Sequence, residues 1–122
     1  GDEAPTLERL IRELGLSEVV TLEGFQANPY PFFKFADLFV LSSRYEGLPN
    51  SVLESLYLGT PCVGTRCIPF MSEIFQEPDN GALVEVGDIE ALARQLLNRG
   101  PYRINARLID FSDSLRLDSI FE

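Results

Sequence analysis

Histidine and tryptophan are absent, lysine occurs once (Lys34) and cysteine twice (Cys62, Cys67) in 122 residues. Without histidine, the commonest general base near neutral pH and the commonest metal ligand are both unavailable. The two thiols stand in Cys62-Val-Gly-Thr-Arg-Cys67. That spacing fits neither a CxxC redox pair nor a four-ligand zinc site. They read as a strand-buried Cys62 and a loop Cys67, in a reducing, cytoplasmic setting.

Positive charge is equally scarce: 10 Lys and Arg stand against 19 Asp and Glu, a formal net charge of −9. That excludes a nucleic-acid surface, which needs clustered cations to displace counterions. An anion can still be held, because backbone N–H groups at a helix N-terminus bind phosphate without side-chain cations. No apolar run approaches the roughly 18 residues of a membrane-spanning helix, and no basic-then-apolar leader is present. Gly1-Asp-Glu-Ala-Pro5 reads as a cut end inside a longer polypeptide. With 45% hydrophobic and 24% charged residues, the composition is that of one globular domain with a modest core.

What is present is an alternation. Leu7, Leu10, Ile11 and Leu14 lie at helical spacing, with Glu8 four before Arg12 and Gly15 as a stop. Val19 to Leu22 is β-branched and ends at Gly24, which predicts a first strand. Asn28 caps a brief aromatic turn from Pro29 to Phe35. Tyr30, Phe32, Phe33, Phe35 and Phe39 read as core. The run Ala36-Asp-Leu-Phe-Val-Leu-Ser-Ser43 reads as a buried parallel strand at Leu38 to Leu41. Asn50 is a good N-cap for a helix over Ser51 to Leu58, Gly59 a good C′ residue, and Thr60-Pro61 cannot continue the helix.

Cys62 to Thr65 then reads as a strand, Phe70 to Phe75 as a short helix containing Glu73, and Ala82 to Val84 as a small strand. Asp88 caps an amphipathic helix over Ile89 to Asn98, closed by Gly100. Arg103 to Phe111 and Ser112 to Phe121 read as two closing helices. Strands alternating with helices predict an α/β fold, a Rossmann-like parallel sheet with flanking helices. Such a domain usually opens on a strand, so residues 1–122 read as a single domain truncated at its N-terminal side.

The most informative stretch is Glu46-Gly-Leu-Pro-Asn-Ser-Val-Leu-Glu54. Glu46 falls on the loop after the strand, and Glu54 one turn into the following helix. In open α/β sheets the crevice at the carboxyl ends of the strands is where ligands bind. Gly47 lets backbone approach a ligand closely, and the N–H groups of Ser51, Val52 and Leu53 are candidates to face phosphate oxygens.

With that alternation in place, the motifs become a pattern. Val20-Thr-Leu-Glu-Gly24-Phe25, the Ala36 to Glu54 stretch, Gly59-Thr-Pro61 and Gly81-Ala-Leu-Val-Glu-Val-Gly87-Asp88 occur in an order that resembles the donor half of retaining GT-B glycosyltransferases. The nearest resemblance is to family four, with its E-x7-E signature, over residues 6–100. The fold implied is an incomplete C-terminal half of a GT-B glycosyltransferase. The activity implied is sugar transfer from a nucleoside diphosphate sugar with retention of configuration, in bacterial polysaccharide or glycolipid synthesis.

The resemblance also implies roles. Glu54 matches the glutamate that binds the nucleotide ribose, a vicinal diol that a carboxylate grips with charge-assisted bonds. Glu46 matches the catalytic glutamate near the transferred sugar, where an oxocarbenium-like centre develops positive charge. Gly47, Leu48, Pro49, Asn50, Ser51 and Val52 match the turn whose amides contact the phosphates. Gly24 and Phe25 match the place where the base is seated, although Phe25 reads equally well as core. Bland readings stand beside these: Glu54 as a first-turn acid favoured by the helix dipole, and Glu46 as a loop acid paired with Arg44.

No cofactor is implied beyond the donor substrate, and no metal. Asp79-Asn80 and Asp88 read as turn and cap residues. The expected partners are the nucleotide sugar and a glycan or lipid-linked saccharide acceptor, with no nucleic acid. The expected location is cytoplasmic, with any peripheral membrane contact made through a missing N-terminal domain. The family's glycine-rich turn and phosphate-gripping basic pair have no counterpart here, since Lys34 and Arg44 stand elsewhere. The chain alone is therefore expected to be inactive. A non-catalytic nucleotide-sugar-binding or interaction module is the alternative. A receiver domain phosphorylated at Asp37 or Asp88 is weaker, lacking acids clustered at the first and third strand ends.

Overall fold

In the computed structural model, which describes residues 2–98, a parallel sheet carries the core and helices flank it. Helix α1 (Ala4–Glu13) has Pro5 in its first turn and a Schellman close. Leu16 N–H donates to Ile11 O at 2.9 Å and Gly15 N–H to Arg12 O at 3.0 Å. None of its residues is buried.

The strand expected at Val19 to Leu22 does not form. The Val19 and Val20 N–H groups both donate to Leu16 O, so a turn takes donors that a ladder would need. Val19 is 76% exposed, with no strand among the described residues beside it to pair or cover it. β-branched residues favour strands only where neighbours pack against them.

A short aromatic helix, α2 (Tyr30–Phe35), follows, with Asn28 Oδ1 accepting from Tyr30 N–H at 3.3 Å. Phe33 packs edge-on to Tyr30 and Phe39, at centroid distances of 6.2 and 5.3 Å. Phe32 and Phe35 are exposed instead of buried. A six-residue helix with aromatic rings at four positions spreads them around its axis and cannot aim all four at one core.

From here the alternation holds: β1 (Phe39–Leu41), α3 (Asn50–Tyr57), β2 (Cys62–Thr65), α4 (Met71–Ile74), β3 (Gly81–Val84) and α5 (Ile89–Leu97). The strands pair in parallel in the order β1-β2-β3, with Phe39 opposite Cys62 and Cys62 opposite Gly81. α3 packs on β1 and β2, and α5 on β2 and β3. Every residue of β2 and β3 is buried, whereas β1, expected to be buried, stands at the end of the described sheet with Phe39 and Leu41 half-buried and Val40 exposed, because one of its edges has no strand among the described residues to cover it. The core joins Val52, Leu53 and Leu56 of α3 to Cys62, Met71, Ile74, Phe75 and Leu83. The two helices expected beyond Gly100 lie outside the described residues.

Two local devices fix the strand starts. Gly59, at a φ of 91°, closes α3 as Thr60 N–H donates to Ser55 O at 2.9 Å, and the chain turns directly into β2. Fully buried Asn80 donates through Nδ2 to Ile74 O at 3.0 Å and accepts from Gln76 N–H at 2.9 Å. Its carbonyl accepts from Cys62 N–H at 3.0 Å. The turn residue Asn80 thus ties α4, β2 and β3 together.

Gly81 begins β3 at a φ of 146°, and a Cβ there would lie 1.6 Å from the Cys62 carbonyl oxygen. Strain and backbone collision together predict that Gly81→Ala destabilises the domain by about 3 kcal/mol or more. Urea unfolding checks this, and a midpoint equal to the parent's would refute it.

Candidate functional site

Parallel pairing in register brings three strand ends to one edge. Ser42 and Arg44 follow β1, Thr65 ends β2, and Glu85, Gly87 and Asp88 follow β3. Together they line a crevice of about 240 Å³, with Ile89 and Leu92 of α5 as its apolar wall. Asp88 Oδ1 accepts from Ala91 N–H at 3.0 Å, the capping bond expected of it.

Glu46, two residues beyond the crevice-lining Arg44, is half-buried. The Ser43 hydroxyl donates to its Oε1 at 2.7 Å, so its partner is Ser43 and not Arg44. The Thr65 hydroxyl donates in turn to the Ser43 carbonyl, tying the turn after β1 to the end of β2. Arg66, next along the chain, is committed elsewhere. Its Nε is 3.1 Å from Glu85 Oε1, its Nη2 3.8 Å from Glu77 Oε2, and its Nη1 donates to Ser72 Oγ at 3.0 Å. Arg44 forms no ion pair among the described residues.

The turn between the two glutamates departs from expectation at one end. Asn50 does not cap α3: it is the helix's first residue, is exposed, and makes no capping bond. Pro49 is buried at the cap position, and its carbonyl accepts from Val52 N–H at 3.1 Å and Leu53 N–H at 3.2 Å. Because the helix starts one residue early, those two amides are spent inside it. Of the three candidate phosphate donors, the Ser51 N–H alone lacks a backbone acceptor among the described residues. Gly47 and Leu48 are exposed, Ser51 is half-buried, and Val52 belongs to the core.

Glu54 is half-buried on α3, and burial raises its carboxyl pKa above the ordinary value. The Tyr30 hydroxyl is raised too, first by burial and then by the Glu54 charge, which places that carboxylate on the side of α3 that faces α2. Neither glutamate lines the crevice. Gly24 and Phe25 sit on the exposed loop before α2, and Phe25, 94% exposed, is packed in no core.

Cys62 is buried with its pKa pushed far up by burial, so it is an inert core thiol, while Cys67 is half-buried. No group of three or more His, Cys, Asp or Glu that could hold a metal occurs among the described residues. No helix among them is long and apolar enough to cross a membrane. Thr65 was not singled out from the sequence. Its signal was a hydroxyl closing an otherwise apolar buried strand.

An open parallel sheet with a crevice at its carboxyl edge is the architecture of nucleotide-binding α/β domains. Comparison with known proteins agrees. The profile of the family described as "Glycosyl transferases group 1" matches residues 1–98. The lipopolysaccharide core biosynthesis glycosyltransferase LpsE of Rhizobium meliloti (strain 1021) is 39% identical over 100 residues, covering 79% of this chain and 28% of that protein. N-acetyl-alpha-D-glucosaminyl L-malate synthase of Bacillus anthracis is 34% identical, covering 80% of this chain and 25% of that protein. Among solved structures, the lipopolysaccharide outer core galactosyltransferase WaaB in its apo form superposes with a TM-score of 0.75 at 25% identity. That match covers 81% of this chain and 29% of WaaB. The chain belongs to the group 1 glycosyltransferases, and its sheet is of the GT-B, Rossmann-like type. It spans 28% of the length of LpsE.

A carboxyl raised in the folded state favours the native state below its unfolded pKa, and that advantage is lost as pH rises through the folded pKa. Glutamine carries no charge to desolvate. Glu54→Gln is therefore expected to melt above the parent at pH 7, with the difference closing as the pH is lowered into the carboxylate range. Melting curves at several pH values check this, and a variant less stable than the parent at pH 7 would contradict it.

Proposed function

We propose that this domain is the donor-binding half of a retaining, family four glycosyltransferase of the E-x7-E type. The complete enzyme would move a sugar from a nucleoside diphosphate sugar to a glycan or lipid-linked saccharide in bacterial polysaccharide or glycolipid synthesis. The observation that carries the reading is Glu46, fixed by Ser43 on the turn after β1, with Glu54 following on α3 at the E-x7-E spacing. The place of LpsE in lipopolysaccharide core biosynthesis supports the choice of pathway class.

In this reading Glu54 accepts hydrogen bonds from the two ribose hydroxyls. The donor's own hydroxyls repay the burial that raises its pKa. Glu46 stabilises positive charge developing at the sugar's anomeric carbon as the diphosphate departs. Gly47 to Val52 form the phosphate-side turn, with Ser51 N–H as its available amide. Gly24 and Phe25 lie on the base side. Neither a metal nor a cofactor beyond the donor takes part. The acceptor site lies in another part of the enzyme, which works in the cytoplasm, and any peripheral membrane contact is made through that other part. A non-catalytic nucleotide-sugar module is the second reading, favoured by the fact that neither glutamate lines the crevice.

Two measurements test the assignment. In the complete enzyme, Glu54→Gln is expected to weaken donor affinity about tenfold to a hundredfold, the value of hydrogen bonds to a charged group. An unchanged donor KM and rate would favour the non-catalytic module. The 122-residue chain itself is expected to transfer no sugar and to bind nucleotide sugars only weakly. Sub-micromolar affinity in calorimetry would overturn the assignment of the phosphate side.

A further inference from the structure

We propose that Ser43 is a positioning residue that holds the Glu46 carboxylate for sugar transfer, and that Thr65 anchors Ser43. The inference rests on the reading of Glu46 given above, and goes beyond it in naming what orients that group.

The geometry is a short relay from the core outward. Thr65, 4% exposed at the end of β2, spends its hydroxyl on the Ser43 carbonyl. The two residues are 22 apart in sequence, so the sheet and not the local chain sets this contact. Ser43, half-buried, then donates its own hydroxyl to Glu46 Oε1 at 2.7 Å. An O–H to carboxylate bond of that length is charge-assisted and directional. It fixes a side chain with three rotatable bonds, and its companion oxygen, Oε2, keeps no hydrogen-bond partner among the described residues.

Such a pairing suits electrostatic stabilisation. A carboxylate that must be in place as charge develops gains most when it needs no reorganisation at the moment of reaction. The flanking residues make the need plain. Gly47 and Leu48 are exposed, and Tyr45 is 78% exposed, so their packing supplies little restraint on Glu46. The restraint comes from the hydroxyl. Arg44 cannot substitute, since it faces the crevice with Ser42 and does not pair with Glu46.

The test compares nearly isosteric variants in the complete enzyme. Ser43→Thr keeps the hydroxyl and Ser43→Val replaces it with a methyl group of similar volume. Ser43→Thr is expected to retain kcat within about threefold, whereas Ser43→Val loses about tenfold to a hundredfold, the range for a bond to a charged group. Donor KM is expected to change little, because an orienting contact acts on the transition state. In a Glu46→Gln background the Ser43→Val loss is expected to vanish, since the two residues act as one unit.

Equal kcat for the Thr and Val variants, a loss confined to KM, or full additivity with Glu46→Gln would each overturn the positioning role. If Glu46→Gln alone leaves kcat unchanged, the reading of Glu46 itself falls and takes the proposal with it. The two failures are therefore told apart by that single variant. A melting curve of each variant guards against unfolding. Should Ser43→Val not fold, Ser43→Ala against Ser43→Thr gives the same comparison.

Discussion

Everything at the carboxyl edge depends on the parallel register of β1, β2 and β3. Phe39, Cys62 and Gly81 are level with one another, so Leu41, Thr65 and Val84 finish within a residue of the same height. Three loops then leave the sheet side by side. Asn80 and Gly81 protect that register from below, one by satisfying buried backbone groups and the other by letting β3 pass the Cys62 carbonyl without a side chain. A slip of one residue would move β2's hydroxyl-bearing end to the opposite face.

Among the described residues, this edge is short of uncommitted positive charge. Arg66 is tied to Glu77, Glu85 and Ser72, and Lys34 is on α2 with its amino group 5.9 Å from the Phe35 ring centroid. Among the described residues, Arg44 and backbone N–H groups are what remain near the turn. Glu46 on the turn and Glu54 on α3 add two carboxylates to this charge-poor region.

From Phe39 to Leu97 the elements were legible to within one or two residues. Asp88, Gly15 and Gly59 acted as read, because caps and helix stops are settled by atoms three to five residues apart in the chain. Val19 to Leu22 was not legible, since its β-branched residues needed a partner strand and found only a turn at Leu16. Asn50 was misread for a subtler reason. It has the right side chain for a cap, but Pro49 occupies that position and its carbonyl collects the first amides of α3. The aromatic cluster before β1 was half right, with Phe33 and Phe39 packed together and Phe32 and Phe35 outside.

The sequence by itself determined the order of strands and helices from β1 to α5, the spacing of Glu46 and Glu54, and the burial of Cys62 in β2. Those follow from periodicity and nearest neighbours, which the chain carries wherever it goes. The tertiary structure alone decided that Glu46 pairs with Ser43, that Ser43 hangs from Thr65, and that Glu54 lies toward Tyr30. It also decided which amides of α3 stay available. Each of these depends on where a hydroxyl, carboxylate or amide finds its partner once distant strands are laid side by side, and no local pattern encodes that.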